Sequence, residues 1–486
     1  MSESNESNRP VRVWPILIAI FVGSFLCVLA SATMNIALPI LEEDFKTDLA
    51  TVQWTLTGFM LAMGTAAPVV GYLGERFSYQ RLFLYSLVGF TAASVLCAAA
   101  WDIYSLIGFR VVQGAFSGMI IPATMAIIYQ VIPRERQAMA MAMWGLAAML
   151  APAFGPTLSG WLLEHLAWEW LFLINIPVGL VGVFLVVKFI PYYRLKVPAS
   201  FDSIGFATVL LGSSSLLLAL GQGHAWGWGS WKLLSLLGFG IAMLIAFVVR
   251  QLTASTPLLD LRVFRNGRYT INVIITNILT ISLYSGTFLT PVFLQKIQHV
   301  SAVDTGLILL PASLAMALTM PAVGKLYNIV GPRWLMSIGI VLLAVGTWTQ
   351  SWLSVDVPHW YIILWMTVRN LGIAMVMMPS SNAGMEMIPK HLSGHASSIM
   401  NWTRNVFGSF AIAIFTTLLA TFTVDHATSL ARAGDADQVR VGLVSFTMSV
   451  NDVYLIATIV AVAALPLALL VGKPKREPEA SRSAAV

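Results

Sequence analysis

Three arginines, Arg110, Arg369 and Arg404, lie inside long apolar runs, and none has an aspartate or glutamate at the same depth of its run. A charge at mid-membrane depth costs about 2.5–3.5 kcal/mol even on lenient insertion scales. Such a guanidinium must face a cavity, a partner or backbone carbonyls. Without an acid beside it, it can draw in an anionic group or repel a proton. The competing reading is a side chain that snorkels to the headgroups. Gln113 lies one turn after Arg110 and shares its face. Asn370 adjoins Arg369, and Asn401 and Asn405 lie within one turn of Arg404. A cavity or inter-helix role and a place at the membrane edge both fit Arg404.

A second polar set lies between residues 270 and 294: Asn272, Thr276, Asn277, Thr280, Tyr284 and Thr287. Asn272, Thr276 and Thr280 follow i, i+4, i+8 spacing, and Asn277 and Tyr284 share a neighbouring face. A helix facing lipid would not be this polar, so the stripe is expected to line a cavity. Asn35 is its expected counterpart in the first apolar run, or else a helix-to-helix bond. Met375, Met377 and Met378 are candidates for an adaptable apolar wall. The two cysteines, Cys27 and Cys97, read as small hydrophobes in packed helices. They provide no disulfide framework, and no metal cluster is expected. No G-x-x-x-x-G-K-[ST] loop occurs, which excludes ATP hydrolysis within the chain.

The elements that must carry these residues follow from composition. Of 486 residues, 58% are hydrophobic and only 10% charged, with a mean hydropathy of +0.80. A soluble domain runs at about 45–50% apolar and about 25% charged. The deficit of charge excludes a soluble enzyme and a disordered chain. The net charge of +6 comes from scattered basic residues that form no patch, which excludes a nucleic-acid binder. The apolar runs are continuous, not alternating, which excludes a membrane barrel.

About 20 apolar residues span a bilayer. That rule predicts fourteen segments, near 14–40, 51–73, 81–100, 104–130, 137–163, 169–190, 204–222, 231–250, 270–294, 303–325, 334–353, 360–386, 397–421 and 452–472. Ala30-Ser31-Ala32 resembles a signal-peptide cleavage site, but the run before it is longer than a usual signal core and thirteen spans follow. The first run is therefore read as a span. With the N-terminus on the cytoplasmic side, 20 of the 28 basic residues fall inside and five outside. Moving the frame by one span reverses this asymmetry, so both termini are expected in the cytoplasm. The opposite rim is acidic, as in Glu42, Glu43, Asp44 and Asp48. The longest loop on that side, near 422–451, is expected to be a lid or spacer with some amphipathic helix.

The chain also repeats itself. Pro68-Val69-Val70-Gly71-Tyr72-Leu73 recurs as Pro321-Ala322-Val323-Gly324-Lys325-Leu326. Arg110, Pro122 and Pro133 recur as Arg369, Pro379 and Pro389. The expected division is a tail at 1–12, a six-helix bundle at 13–195, two extra helices at 196–266, a second bundle at 267–472 and a tail at 473–486. Parallel halves of this kind place a substrate site near the midplane between them.

On these residues the sequence resembles the major facilitator superfamily, and more closely its fourteen-span drug:proton antiporter branch. The stretch from Gly71 to Arg81 (GYLGERFSYQR) is similar to the signature loop after span 2, with Glu75 in place of its Asp and Ser78 in place of its Gly. Arg110-Val111-Val112-Gln113-Gly114 matches R-x-x-Q-G of span 4. Gly145 with Gly155-Pro156-Thr157-Leu158-Ser159-Gly160 resembles the antiporter motif of span 5. Residues 168–179 and 258–266 are similar to two further signatures of the branch.

The resemblance implies an all-α integral membrane protein with the major facilitator fold, two six-helix bundles plus two inserted helices. It implies a secondary active exporter of amphipathic or lipophilic compounds, working by alternating access and driven by the proton gradient. A lipid or glycolipid exporter on the same fold is the alternative. Neither an enzyme activity nor a cofactor is implied. The expected setting is a monomer spanning the plasma membrane, in contact with bilayer lipid, protons and a lipophilic solute. By resemblance, Arg110 faces the central cavity and takes part in coupling. Glu75 and Arg76 hold the outward-facing state across the half-interface, and Gly145, Gly155, Pro156 and Gly160 permit gating. The branch often carries a proton-binding Asp in its first span. Here that position is Ala30, and Glu75 and Glu386, near the cytoplasmic ends, are the remaining acids considered.

Overall fold

The structure, a computed structural model, describes residues 13–192, 201–254, 257–385, 388–389, 392–432 and 437–471. The longer helices among the described residues group into fourteen segments, with short helical turns between some of them. In the first half, α1 is Val13–Ala32 continued by Met34–Asp44, and α2 is Leu49–Val52, Trp54–Ala66 and Val70–Phe77. There follow α3 (Tyr79–Ala98), α4 (Ile103–Val131), α5 (Arg134–His165) and α6 (Asn175–Phe189). The inserted pair is α7 (Ser203–Gly221) and α8 (Trp231–Thr253). The second half is α9 (Gly267–Lys296), α10 (Ala302–Val330), α11 (Pro332–Thr349), α12 (His359–Met385), α13 (Ser393–Arg432) and α14 (Gln438–Val462, continued by Ala464–Leu470).

Twelve helices among the described residues are long and apolar enough to cross a membrane. The fourteen-pass count also needs α2 and α5, which are helical but not among those twelve. In α2 the 3-10 turn Ala67–Val69 contains Pro68, which has no N–H to continue an α-helical ladder. Side-chain caps start many of the helices. Asp102 and Ser105 form a reciprocal capping box on α4, and Ser230, Asn266, Ser301 and Asp437 cap α8, α9, α10 and α14.

The packing repeats as the sequence does. In the first half α2 packs on α4, α3 on α4, α1 on α5, α3 on α6 and α1 on α6. In the second half α10 packs on α12, α11 on α12, α9 on α13, α11 on α14 and α9 on α14, the same five pairs. Two pairs make the largest contacts between the halves, α5 with α10 and α2 with α13, and the part of α1 after its break also touches α9 and α10. These two seams exchange when one repeat is mapped onto the other. Within the first half, Gly114 and Gly118 let α4 touch the backbone of α2, where a Cβ would stand 2.9 Å and 2.7 Å from the carbonyl carbons of Phe59 and Met63.

The inserted hairpin covers the α2–α13 seam. Leu217 of α7 packs with Leu61 of α2 and with Val406 and Ala413 of α13, and the Thr417 hydroxyl donates to the Leu220 carbonyl at 3.0 Å. Exposed Phe239, Ile241, Ile245 and Val249 give α8 an apolar outer face suited to lipid. At the basic rim Asp202 ties α7 to α8. Burial alone would raise its pKa. Hydrogen bonds from the Gly205 N–H, Gln251 and Arg250, with the Arg250 charge, outweigh that and hold it below the ordinary carboxylate value.

Two expectations change here. The loop expected near 422–451 is mostly helix, because α13 runs to Arg432 and α14 begins at Gln438. His426 meets Asp452 at 2.7 Å, and the Thr423 hydroxyl donates to Ser449 at 3.2 Å, so the extensions brace each other. Met375 and Met378 are not among the residues that line the crevice between the halves. They pack on Val323, Tyr327 and Leu335 inside the second half.

One turn shows the repeat at backbone level. Ser78, between α2 and α3, has φ 90° and ψ 138°, and Gly331, between α10 and α11, has φ 86° and ψ 158°. This region suits glycine and costs an L-residue about 1–2 kcal/mol. The Ser78 hydroxyl is also buried without a hydrogen-bond partner. Ser78→Gly is therefore expected to raise the thermal stability of the purified protein by about 1–2 kcal/mol. An unchanged or lower unfolding midpoint would refute the strain.

Candidate functional site

Arg110 stands on α4 seven residues after the first residue of that helix and is fully buried. Its Nε–H donates to the Thr55 carbonyl of α2 at 3.0 Å, and its Nη1 donates to Gln113 Oε1 at 2.7 Å. The guanidinium carbon lies 4.0 Å from the centre of the Phe59 ring, a cation–π contact. Gln113 passes the chain on, donating to the Ser94 hydroxyl of α3 at 2.7 Å. All these partners belong to the first half. Arg110 and Gln113 therefore bind three helices of one bundle together and do not face the other half.

Arg369 occupies the matching interior of the second half, also with no exposure. It donates to the Ser282 and Leu283 carbonyls of α9, the latter at 3.0 Å, and to Asn370 Oδ1 at 3.3 Å. Gly286 leaves the space that the guanidinium fills. The two arginines thus solve the same problem with different helices. Arg110 bonds α2, whereas Arg369 bonds α9, the repeat counterpart of α1.

The seams hold the other residues. Gly155 packs on Ala32, where α1 breaks at Thr33, and the Ser159 hydroxyl donates to the Thr33 carbonyl at 2.7 Å. Gly160 faces the backbone of Ala302 and Val303 on α10, and Gly306 faces Pro156 and Thr157 on α5. The Thr157 hydroxyl donates to the Gly306 carbonyl at 3.3 Å. At the same acidic rim Lys296 of α9 pairs with Glu42 of α1 at 2.6 Å, and the Gln295 amide donates to the Ile36 carbonyl. The two halves are closed against each other there.

At mid-depth the second seam opens into a narrow crevice of about 20 Å³, room for about one water. It is lined by Met63, Ser117 and Pro122 of the first half and by Asn401, Arg404 and Asn405 of α13. Arg404 is half-buried and donates to Asn401 Oδ1 at 3.2 Å. Tyr284 of α9 lies within electrostatic reach of it and packs on Gly408.

Residues 20–412 match the profile of the Major Facilitator Superfamily. The chain belongs to the Major Facilitator Superfamily. Named relatives align with most of it. The lincomycin resistance protein LmrB of Listeria monocytogenes is 30% identical over 98% of this chain and 100% of its own length. The multidrug resistance protein B homolog of Mycobacterium tuberculosis (CDC 1551) is 32% identical over 84% and 77%. The tetracenomycin C resistance and export protein of Streptomyces glaucescens is 30% identical over 84% and 76%. Among solved structures, a bacterial homolog of the lysosomal transporter Spinster, inward-facing and unoccupied, superposes with a TM-score of 0.65 at 13% identity, covering 95% of this chain and 97% of that one. That likeness speaks for the superfamily fold.

On this major facilitator frame the expected polar residues separate into groups. Arg110 with Gln113 and Arg369 with Asn370 form bundle interiors. Arg404 lines the central seam, with Tyr284 within electrostatic reach of it. Asn277 lies two turns before Tyr284 on its face, buried, with its Oδ1 unpartnered. Asn35 lies just past the α1 break, its amide donating to the Ala32 carbonyl at 3.4 Å. The Asn272–Thr276 part of the stripe turns to α12, where Thr276 bonds Ser380 at 2.5 Å. Arg76 is exposed, donates to the Tyr72 hydroxyl at 2.5 Å and bonds no residue of the second half among the described residues. The side chains of Gly71, Glu75 and Gly145, and the whole of Glu386, lie outside the described residues. Cys27 and Cys97 are buried and free.

The sequence reading missed His395. Its Nδ1 accepts the Asp260 N–H at 3.3 Å, and the Tyr269 hydroxyl donates to the Ala396 carbonyl at 2.8 Å. Together they dock the segment after α8 onto the start of α13.

Proposed function

We propose that the protein is a secondary active exporter of amphipathic or lipophilic compounds, including drugs, that works by alternating access. One observation carries this reading. Two repeat-related bundles meet at two seams, and a polar crevice at mid-depth draws its lining from both halves. A rocking motion between the halves would expose that crevice to either side in turn. The printed functions of the relatives, lincomycin resistance, multidrug resistance and tetracenomycin C export, support drug-like substrates.

In this reading the chain passes the cell membrane fourteen times, as a monomer, with the basic rim and both termini in the cytoplasm. It moves solutes without transforming them. Protons drive the cycle, with Glu75 or Glu386 as the carrier at the cytoplasmic rim. Dye efflux from proteoliposomes, with and without an imposed pH gradient, tests this. Wild type is expected to respond to the gradient, and Glu75→Gln or Glu386→Gln to lose that response. Equal responses in all three proteins would remove both acids as carriers. Indifference of wild type to the gradient would remove proton coupling altogether. Efflux of lipid analogues alone would favour a lipid exporter.

A further inference from the structure

We propose that the central site selects neutral and anionic amphiphiles over cationic ones, with Arg404 as counter-charge for a carboxylate, phenolate or similar oxygen on the substrate. This rests on the export reading and adds the substrate's charge to it.

The argument starts from how the three intramembrane arginines are used. Arg110 and Arg369 have no exposure and hold their own bundles together through backbone carbonyls and neighbouring amides. Neither can turn to a solute without opening its bundle. Arg404 differs on each point. It is only half-buried, it lines the crevice shared by both halves, and among the described residues it makes one hydrogen bond, to Asn401 at 3.2 Å. A guanidinium carries five N–H donors in a planar fork that fits a carboxylate or another two-oxygen group. Most of that fork has no partner among the described residues.

Charge balance gives the sign of selection. Among the described residues every aspartate and glutamate lies near a helix end, in a helical extension beyond the apolar run or in a connection, and none lies at mid-depth of an apolar run. Glu42 is already paired with Lys296 at the acidic rim, and Asp202 with Arg250 at the basic rim. A cation entering the crevice would meet Arg404 with no acid to offset it, in surroundings of low dielectric where like charges repel strongly. A solute oxygen would instead gain a charge-assisted hydrogen bond. Asn401, Asn405 and Ser117 add neutral hydrogen-bonding groups that neutral solutes can use.

The test uses the full chain in proteoliposomes and three lipophilic dyes of similar size, one anionic, one neutral and one cationic. Wild type should export the anionic and neutral dyes at least about tenfold faster than the cationic one. Arg404→Gln should reduce anionic export at least about tenfold more than neutral export, and Arg404→Lys should restore part of it. Thermal stability of each purified variant guards against misfolding. Binding of the anionic dye to purified wild type, read by fluorescence anisotropy and competed by an unlabelled aromatic carboxylate, gives a second readout. Preferred export of the cationic dye would overturn the charge selection and leave the export reading standing. Unchanged anionic export by Arg404→Gln would overturn the role of Arg404. Export of none of the three would remove the export reading and this proposal with it.

Discussion

Gly160→Ala and Gly306→Ala are each expected to reduce export at least about tenfold, the effect of a bias of about 1.4 kcal/mol between two states. Both glycines let α5 touch α10 where the halves close at the acidic rim. A Cβ on Gly160 would stand 2.7 Å from Val303 Cα, and one on Gly306 would stand 2.7 Å from the Pro156 carbonyl oxygen. The listening groups are backbone atoms, which cannot swing aside as a side chain could. Alanine is the better helix former by about 1 kcal/mol, so weakened helices cannot explain a loss. The added methyl holds the seam apart and disfavours the state closed at that rim. Each bundle keeps its own contacts, so the purified variants should still fold. Gly108→Ala, with nothing within 4 Å of the new methyl, is the control. Wild-type export by Gly160→Ala would show that this closure is not part of the cycle.

The motif around Gly155 and Gly160 was legible because small residues at helical spacing permit close approach, whatever the partner. Which partner each glycine meets was not legible. Gly155 turns to α1 and Gly160 to α10, and only the tertiary arrangement separates those faces. The same limit applies to the polar stripe of α9. Its spacing shows polar faces on one helix, yet the Thr276 hydroxyl bonds Ser380 of α12, which also donates to the Asn272 carbonyl, while Tyr284 reaches the seam. Periodicity identifies a face and not the neighbour it meets.

The helices themselves could be read from length and continuity of apolar runs, because a bilayer demands about 20 such residues. Interruptions were harder. Pro68 marks the turn inside α2, but the α1 break falls at Thr33, six residues before Pro39. The extension of α13 to Arg432 was hidden because polar residues there resemble loop composition, and it is the bracing by α14 that holds them in helix. The docking of Asp260 on His395 joins residues 135 positions apart through a backbone N–H. No residue type announces such a donor.

The intramembrane arginines show what this difference means for experiment. Their cost in an apolar run was plain from sequence, and a cavity role was the natural reading for Arg110. In the fold, Arg110 and Arg369 answer most of that cost with carbonyl and amide acceptors inside their own bundles, while Arg110 Nη2 and Arg369 Nε find no partner among the described residues. Arg369→Ala is therefore expected to destabilise the protein by about 3–5 kcal/mol, since it removes several hydrogen bonds from a charged group and leaves a large buried void. Arg369→Lys should recover only part of this, because one ammonium cannot reach the Ser282 and Leu283 carbonyls and Asn370 with the same planar geometry. Arg110→Ala should behave alike through Thr55, Gln113 and the Phe59 ring. The measurement is the unfolding midpoint of purified protein beside its export rate. A clamp predicts that stability and export fall together. If Arg369→Ala unfolds at the wild-type midpoint while export is lost, the arginine acts in coupling and not as a clamp.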